Sequence, residues 1–153
     1  MSDYDTDILE WSSRQAALLR RLAAGERLNA PPDWANIIDE VEAVGRSELR
    51  AVESLLTQAI LHRLKVQAWP GSRDVPHWRR EAESFLRDAR ADYTPSMRGK
   101  IHLARLYARA LAHLPDWMDD VAALPVPQIC PDTLDEMLSD TATLSDGQAG
   151  APT

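Results

Sequence analysis

The sequence predicts an all-α protein: an up-and-down helical bundle of four to five main helices, with a break near Gly45 and a short C-terminal helix. Three observations lead there. Apolar residues recur at steps of three and four through most of residues 5–114, the period of helices that each bury one side. No segment alternates apolar and polar residues with β-branched enrichment, which excludes a sheet. The connections between the periodic segments are short, which favours antiparallel neighbours.

The first helix is expected over residues 5–24. Ile8, Trp11, Gln15, Leu18 and Leu22 fall at helical spacing, and Leu9, Ala16 and Leu19 widen the stripe. Asp5 and Asp7 lie in its first turn, where the positive end of the helix dipole favours them. Gly25 suits its C-terminal stop. Residues 26–32 form a loop closed by Pro31-Pro32.

Asp33 is a good N-cap for the second helix, on which Trp34, Ile37, Ile38, Val41 and Val44 make one amphipathic stripe. Gly45 and the cap-competent Ser47 predict a break or kink between Val44 and Ser47. A helix running straight through is the alternative, because one interior glycine costs only about 1 kcal/mol. The next segment, 47–67, is the most apolar in the chain. Leu49, Val52, Leu55, Leu56, Ala59 and Ile60 share a broad face, and Leu61 and Leu64 extend it. A helix apolar on most sides belongs at the centre of a bundle.

Trp69-Pro70-Gly71-Ser72 reads as a turn. The third main helix, 76–93, opens on Pro76 with Asp74 just before it. Its buried side is expected to be Trp78, Ala82, Phe85, Leu86, Ala89 and Tyr93. Thr94-Pro95 reads as the cap and first-turn proline of a fourth helix over 95–114. Beyond it, Pro115, Pro125, Pro127 and Pro131 allow only short helices, with 116–123 and 132–139 as candidates. Residues 140–153 are small and polar and are expected to be a disordered tail, leaving 1–139 as one domain.

Composition narrows the function classes. A chain of 153 residues, 44% hydrophobic and 27% charged, has the profile of a folded globular protein with a real core. No apolar run approaches a membrane span, and the acidic start Met1-Ser2-Asp3-Tyr4-Asp5 lacks the positive region of a secretory signal. One cysteine, Cys130, cannot form an internal disulfide. The expected setting is the cytoplasm, with no membrane association. The net charge of −7 is unevenly distributed. Residues 1–45 hold 4 basic and 9 acidic side chains, 46–114 hold 13 and 7, and 115–153 hold none and 8. The favoured reading is an internal match, with the acidic C-terminal segment lying across the basic helices. A basic face for an anionic partner is the other.

Local chemistry motifs are sparse. Helical metal sites use Glu-x-x-His or His pairs three or four apart. Ala59, Gly99 and Ala110 stand three before His62, His102 and His113, so no metal or other cofactor is expected. None of the 6 glycines forms a phosphate-cradling fingerprint. Cys130, before Pro131, reads as a half-buried packing residue rather than a nucleophile. One candidate cluster is Glu40, Arg46, Glu48, His62 and Lys65. His62 and Lys65 are neighbours on one helix face, and such a set could line a cleft with a His acid/base and a cation for an anionic ligand. The favoured reading is structural: a hydrogen-bonded histidine, with Glu40 or Glu48 as its natural acceptor, and an ion-pair network at the Gly45 break. A second candidate is the basic face Arg98, Lys100, Arg105 and Arg109 on the helix over 95–114. That face lacks a helix-turn-helix pattern or stacking platform, so nucleic-acid binding is disfavoured. The five tryptophans are expected to be core plugs, with Trp69 and Trp117 the most exposed.

The order and spacing of several short pieces carry a resemblance. They are Tyr4-Asp5-Thr6-Asp7 with Trp11 and Gln15-Ala16-Ala17-Leu18-Leu19-Arg20; Asp33-Trp34; Glu40-Val41-Glu42-Ala43-Val44-Gly45-Arg46-Ser47-Glu48; His62-Arg63-Leu64-Lys65; Trp78; Pro95-Ser96-Met97-Arg98; and Cys130-Pro131-Asp132-Thr133-Leu134. Over nearly the whole chain it resembles the bacterial domain-of-unknown-function 29 family. The resemblance implies an all-helical bacterial domain and brings no reaction, cofactor or catalytic residue with it. The expectation is a non-catalytic protein acting through protein–protein contact, as an adaptor, regulator or antitoxin-like partner. A small-ligand site or enzyme built on Glu40, Arg46, His62 and Lys65 is the runner-up, and nucleic-acid binding through the fourth helix is the weaker third.

Overall fold

The chain starts as two helical pieces, α1 (Asp3–Thr6) and α2 (Ile8–Ala23). The single first helix expected over 5–24 is interrupted at Asp7, whose backbone leaves the helical region and whose carboxylate accepts the Glu10 N–H. Asp7 thus caps α2 instead of sitting in a first turn. Gly25 ends α2 with φ +82, a left-handed conformation that glycine adopts without a Cβ penalty. The structure, a computed structural model, describes residues 2–139; the tail expected over 140–153 lies outside them. It divides into two compact units, Met1–Ser47 and Glu48 onward.

One helix, α3 (Trp34–Ala68), supplies parts of both units. It runs unbroken through Gly45, so the break expected between Val44 and Ser47 is absent. Helix-forming residues on either side of a lone glycine outweigh its cost of about 1 kcal/mol. In the first unit, α2 is tied to the start of α3 by polar contacts. Trp11 is buried and donates its indole N–H to the Asp33 carboxylate at 3.0 Å. The Gln15 side-chain oxygen accepts the Asp33 N–H at 2.8 Å. Tyr4 packs edge-on against Trp11 and donates its hydroxyl to Glu40 at 2.7 Å.

The second unit is a bundle. The later turns of α3 pack with α4 (Val75–Asp92), α5 (Leu103–His113) and α6 (Leu134–Leu138). Val52, Leu56, Leu64, Leu86, Leu106 and Met137 are its largest fully buried side chains. This agrees with the sequence reading that 47–67 is the central helix. α4 opens with Pro76 in its first turn, as expected. The fourth predicted helix is shorter than 95–114. Pro95–Met97 form one 3-10 turn, and α5 begins only at Leu103. Met97 and Ile101 are buried in the bundle core, so this stretch anchors the chain through its side chains rather than by continuing a helix.

Residues 116–123 are not the short helix expected. They form a two-stranded antiparallel ribbon, β1 (Trp117–Met118) and β2 (Val121–Ala122). Asp119 and Asp120 turn it with φ 49 and 61. Two consecutive left-handed residues make the tight hairpin turn whose twist suits antiparallel strands, and Asp tolerates that region better than most residues. The sequence reading also placed Trp69 among the exposed tryptophans. It is buried against Trp78, and its indole N–H bonds the Val121 carbonyl at 3.0 Å. Trp117 is exposed, as expected.

The acidic C-terminal segment lies on basic helices of the second unit. Asp132 pairs with Arg63 at 3.2 Å, Asp135 pairs with Arg98, and Arg90 donates to the Met137 carbonyl. Short α6 is started by Thr133, which accepts the Glu136 N–H while Glu136 returns a bond to the Thr133 N–H, a reciprocal cap that serves two orphan donors.

Candidate functional site

The predicted polar cluster is distributed over both units. Glu40 belongs to the first and is held by Tyr4; accepting that bond raises the Tyr4 pKa above its ordinary value. Arg46, in the same unit, reaches back one turn to Glu42 at 3.4 Å and to the Asp39 carbonyl at 3.5 Å. Glu48 is exposed at the start of the second unit. His62 and Lys65 are partly buried on the second unit's share of α3. The expected carboxylate partner of His62 is not Glu40 or Glu48. Its Nδ1 lies 2.8 Å from the Gln58 carbonyl of the preceding turn, and its ring packs against Phe85 at 5.3 Å between centroids. Removing that ring by His62→Ala will cost about 1 kcal/mol, and Lys65→Ala no more than about 0.5 kcal/mol. Urea unfolding midpoints check both; an unchanged midpoint for His62→Ala would show that the ring does not contribute to stability.

The predicted basic face does not lie on one helix. Arg98 and Lys100 sit between the 3-10 turn and α5, while Arg105 and Arg109 are on α5. Two of the four have acidic neighbours within the unit: Arg98 meets Asp135, and Arg105 lies 4.0 Å from Glu53. Cys130 is partly buried, with its thiol 3.5 Å from the Asp132 carbonyl. Burial pushes its pKa up, which keeps it a thiol at neutral pH, the opposite of an activated nucleophile. Among the described residues no group of three or more His, Cys, Asp or Glu side chains is placed to hold a metal ion. No described helix is long and apolar enough to cross a membrane.

The feature that stands apart is apolar. On the first-unit share of α3, Trp34, Ile38, Val41 and Val44 are 48, 53, 69 and 64% exposed. By sequence these residues belong to a single stripe on an amphipathic helix, whose apolar side is normally buried. The structure separates two faces. Asp33, Ile37, Glu40 and Ala43 are at least partly buried, and Asp33 and Glu40 receive the bonds from α2 and α1. Trp34, Ile38 and Val41, with Gly45 next in the row, follow one another at steps of four, three and four, so they form a second row along the helix. Nothing in the sequence separates the two faces: the five apolar residues span roughly 120° of the helical wheel, the width of an ordinary buried stripe. Exposed apolar residues scattered singly are ordinary, but a contiguous row is the usual mark of an interaction surface.

Comparison with known proteins agrees with the helical architecture. An α-helical protein of unknown function from Rhodospirillum rubrum, known from its crystal structure, is similar in fold, with a TM-score of 0.65. It is 27% identical, and the match covers 92% of each chain. No curated protein matches the chain. The family model for the domain of unknown function DUF29 matches residues 4–142, nearly all of the sequence, and the chain belongs to that family.

Proposed function

We propose that this protein is a non-catalytic interaction module, an adaptor, regulator or antitoxin-like partner, that binds another protein through its N-terminal helical unit. The observation behind this reading is four solvent-exposed large apolar residues on α3, the row Trp34, Ile38 and Val41 with Val44 beside it. Keeping four large apolar side chains in water gains nothing for folding, since each would be worth about 1.5–3 kcal/mol if fully covered. A partner that covers them recovers that energy on binding. Tryptophan at one end of the row is the residue type most often found to dominate interface energetics. The helix that carries the row is itself braced by buried Trp11 and the Asp33 network, so the surface is pre-organised and little ordering entropy opposes docking.

The test uses the full chain in its native host, with a photo-crosslinking amino acid in place of Val41. One dominant crosslinked protein is expected, and Ile38→Asp should abolish that crosslink while leaving the melting temperature within a few degrees of the parent. Crosslinks that Ile38→Asp leaves unchanged, or the absence of any protein crosslink from that position, would overturn the reading.

A further inference from the structure

We infer that the outer face of α5 is a second docking surface, and that its occupant is an acidic helix of another protein, held by its carboxylates on Arg105 and Arg109. This surface belongs to the second unit and shares no residue with the apolar row on α3.

Charge selects the occupant. The chain has a net charge of −7, yet residues 93–115 hold four basic side chains and no acidic one. His102, Arg105, Arg109 and His113 follow one another at steps of three, four and four, so they form one row along the helix. All four are exposed. Within this row, and among the described residues, only Arg105 comes within 4.0 Å of a carboxylate, that of Glu53. The Glu53 side chain is itself only 12% exposed, whereas that of Arg105 is 63% exposed. Arg109 has no acidic neighbour at that distance among the described residues. The row therefore presents positive charge that the second unit leaves uncompensated, and a complementary face is acidic.

Shape narrows it to a helix. Leu106, Tyr107 and Ala110 turn one side of α5 into the core. On the other side Ala104, Ala108 and Ala112 are exposed and make a second row directly beside the basic one. Single methyl groups let another helix axis approach to about 8 Å. Arg105 and Arg109 lie about 6 Å apart along the axis, the same rise that separates two carboxylates one turn apart on a partner helix. Guanidinium groups bind such carboxylates through paired hydrogen bonds.

Other anionic or self partners fit less well. A single nucleic-acid strand is gripped by aromatic platforms, and Tyr107 is buried. A duplex carries a charge about every 1.7 Å and would run past a row about 16 Å long into the field of a chain that is acidic overall. A lipid surface takes up large apolar side chains beside the basic ones, where α5 offers methyl groups. In a symmetric pair of copies, α5 on α5 sets arginine against arginine. Pairing α5 with an acidic face of a second copy is a head-to-tail contact, which propagates unless its rotation closes.

Fluorescence anisotropy tests this on the full chain. The probe is a synthetic helical peptide of about four turns, with an alanine and leucine seam edged by glutamates one turn apart. Its comparisons are a twin with lysines in place of the glutamates, a single-stranded oligonucleotide and phosphatidylglycerol vesicles. Net charge alone would make this protein prefer the lysine twin. The glutamate peptide is instead expected to bind saturably and about tenfold tighter than the twin, with affinity falling as salt rises. Arg105→Gln with Arg109→Gln is expected to lose about tenfold in affinity while melting within a few degrees of the parent, because glutamine forms helix as well as arginine does. Ala108→Gln, which raises a side chain in the methyl row, should also weaken binding. The control Arg20→Gln with Arg27→Gln removes the same charge from the first unit and should bind as the parent does. Equal affinity for the two peptides, tighter binding of the lysine twin, or no saturable binding would overturn the inference. So would an equal loss in the control, or unchanged binding of the Arg105 and Arg109 variant. Oligonucleotide or vesicle binding in place of peptide binding, or self-association that requires Arg105 and Arg109, would overturn it as well.

Discussion

A chain ended after Leu114 will lose its cooperative thermal transition. The reason is what residues 115–139 contribute to the second unit. Met137 is fully buried in its core, and Val126, Cys130, Leu134 and Leu138 pack against it. Losing a buried methionine side chain alone costs about 2–5 kcal/mol. The segment also supplies the acceptors for two buried aromatic donors: the Val121 carbonyl for the Trp69 indole, and the Pro127 carbonyl for the Tyr107 hydroxyl at 2.7 Å. Each orphaned donor costs about 1–3 kcal/mol if water does not reach it. Together these losses approach the whole stability of an ordinary domain, about 5–15 kcal/mol. Near-UV circular dichroism and calorimetry check the result. The shortened chain should retain helical far-UV signal, lose near-UV signal and bind a hydrophobic dye, the signs of lost side-chain packing. Without Asp132 and Asp135, the freed Arg63 and Arg98 should also strengthen retention on an anionic resin at low salt. A shortened protein with the parent's melting temperature would mean that the segment adds nothing to the core.

The helical parts of this fold were legible where burial and periodicity coincide. The 47–67 stretch reads as a central helix because its apolar residues cover most of the cylinder, and Val52, Leu56, Ala59 and Leu64 are indeed buried. Pro76 marks a helix start through local chemistry that tertiary context leaves alone. What was not legible depended on competition between weak local preferences. Gly45 close to Ser47 looks like a stop signal, yet α3 passes through it, because a glycine penalty of about 1 kcal/mol is small beside the helix-forming residues on either side. The hairpin at Asp119-Asp120 was missed because its strands are two residues long and carry no alternation; only its two left-handed aspartates distinguish it. The exposed row on α3 was missed for another reason. Periodicity identifies an apolar face but not what covers it, and here two adjacent faces are apolar while the contacts from α1 and α2 fall on one of them. Residue type alone marks the polar cluster in the sequence, but hydrogen bonds from within one turn or one unit already occupy Glu40, Arg46 and His62.

Asp132→Ala will destabilise the protein by about 2–3 kcal/mol, whereas Arg63→Met will leave its stability within about 1 kcal/mol of the parent. The two residues form one ion pair, so a pairwise attraction alone would make the two losses equal. Their surroundings differ. The Arg63 side chain is only 15% exposed, against 37% for Asp132. Burial pulls the Arg63 pKa down, and Asp132 followed by Glu83 pushes it back up. Its Nε and one terminal nitrogen are buried without a hydrogen-bond partner among the described residues, so the guanidinium has been desolvated more completely than its contacts compensate. Removing Asp132 leaves that charge buried with its nearest neutralising group gone. The loss stays below the 3–5 kcal/mol typical of breaking a fully buried pair, roughly in keeping with the carboxylate's partial exposure. Methionine at position 63 instead fills similar volume, removes the desolvated charge and its orphaned donors, and leaves Asp132 able to turn to water. The double variant should therefore match Arg63→Met alone, giving a coupling energy nearly as large as the Asp132→Ala loss. Chemical denaturation of the three variants at one ionic strength measures this. If Arg63→Met costs as much as Asp132→Ala, the pair itself is a net stabilising interaction, and the account of an overburied arginine is wrong.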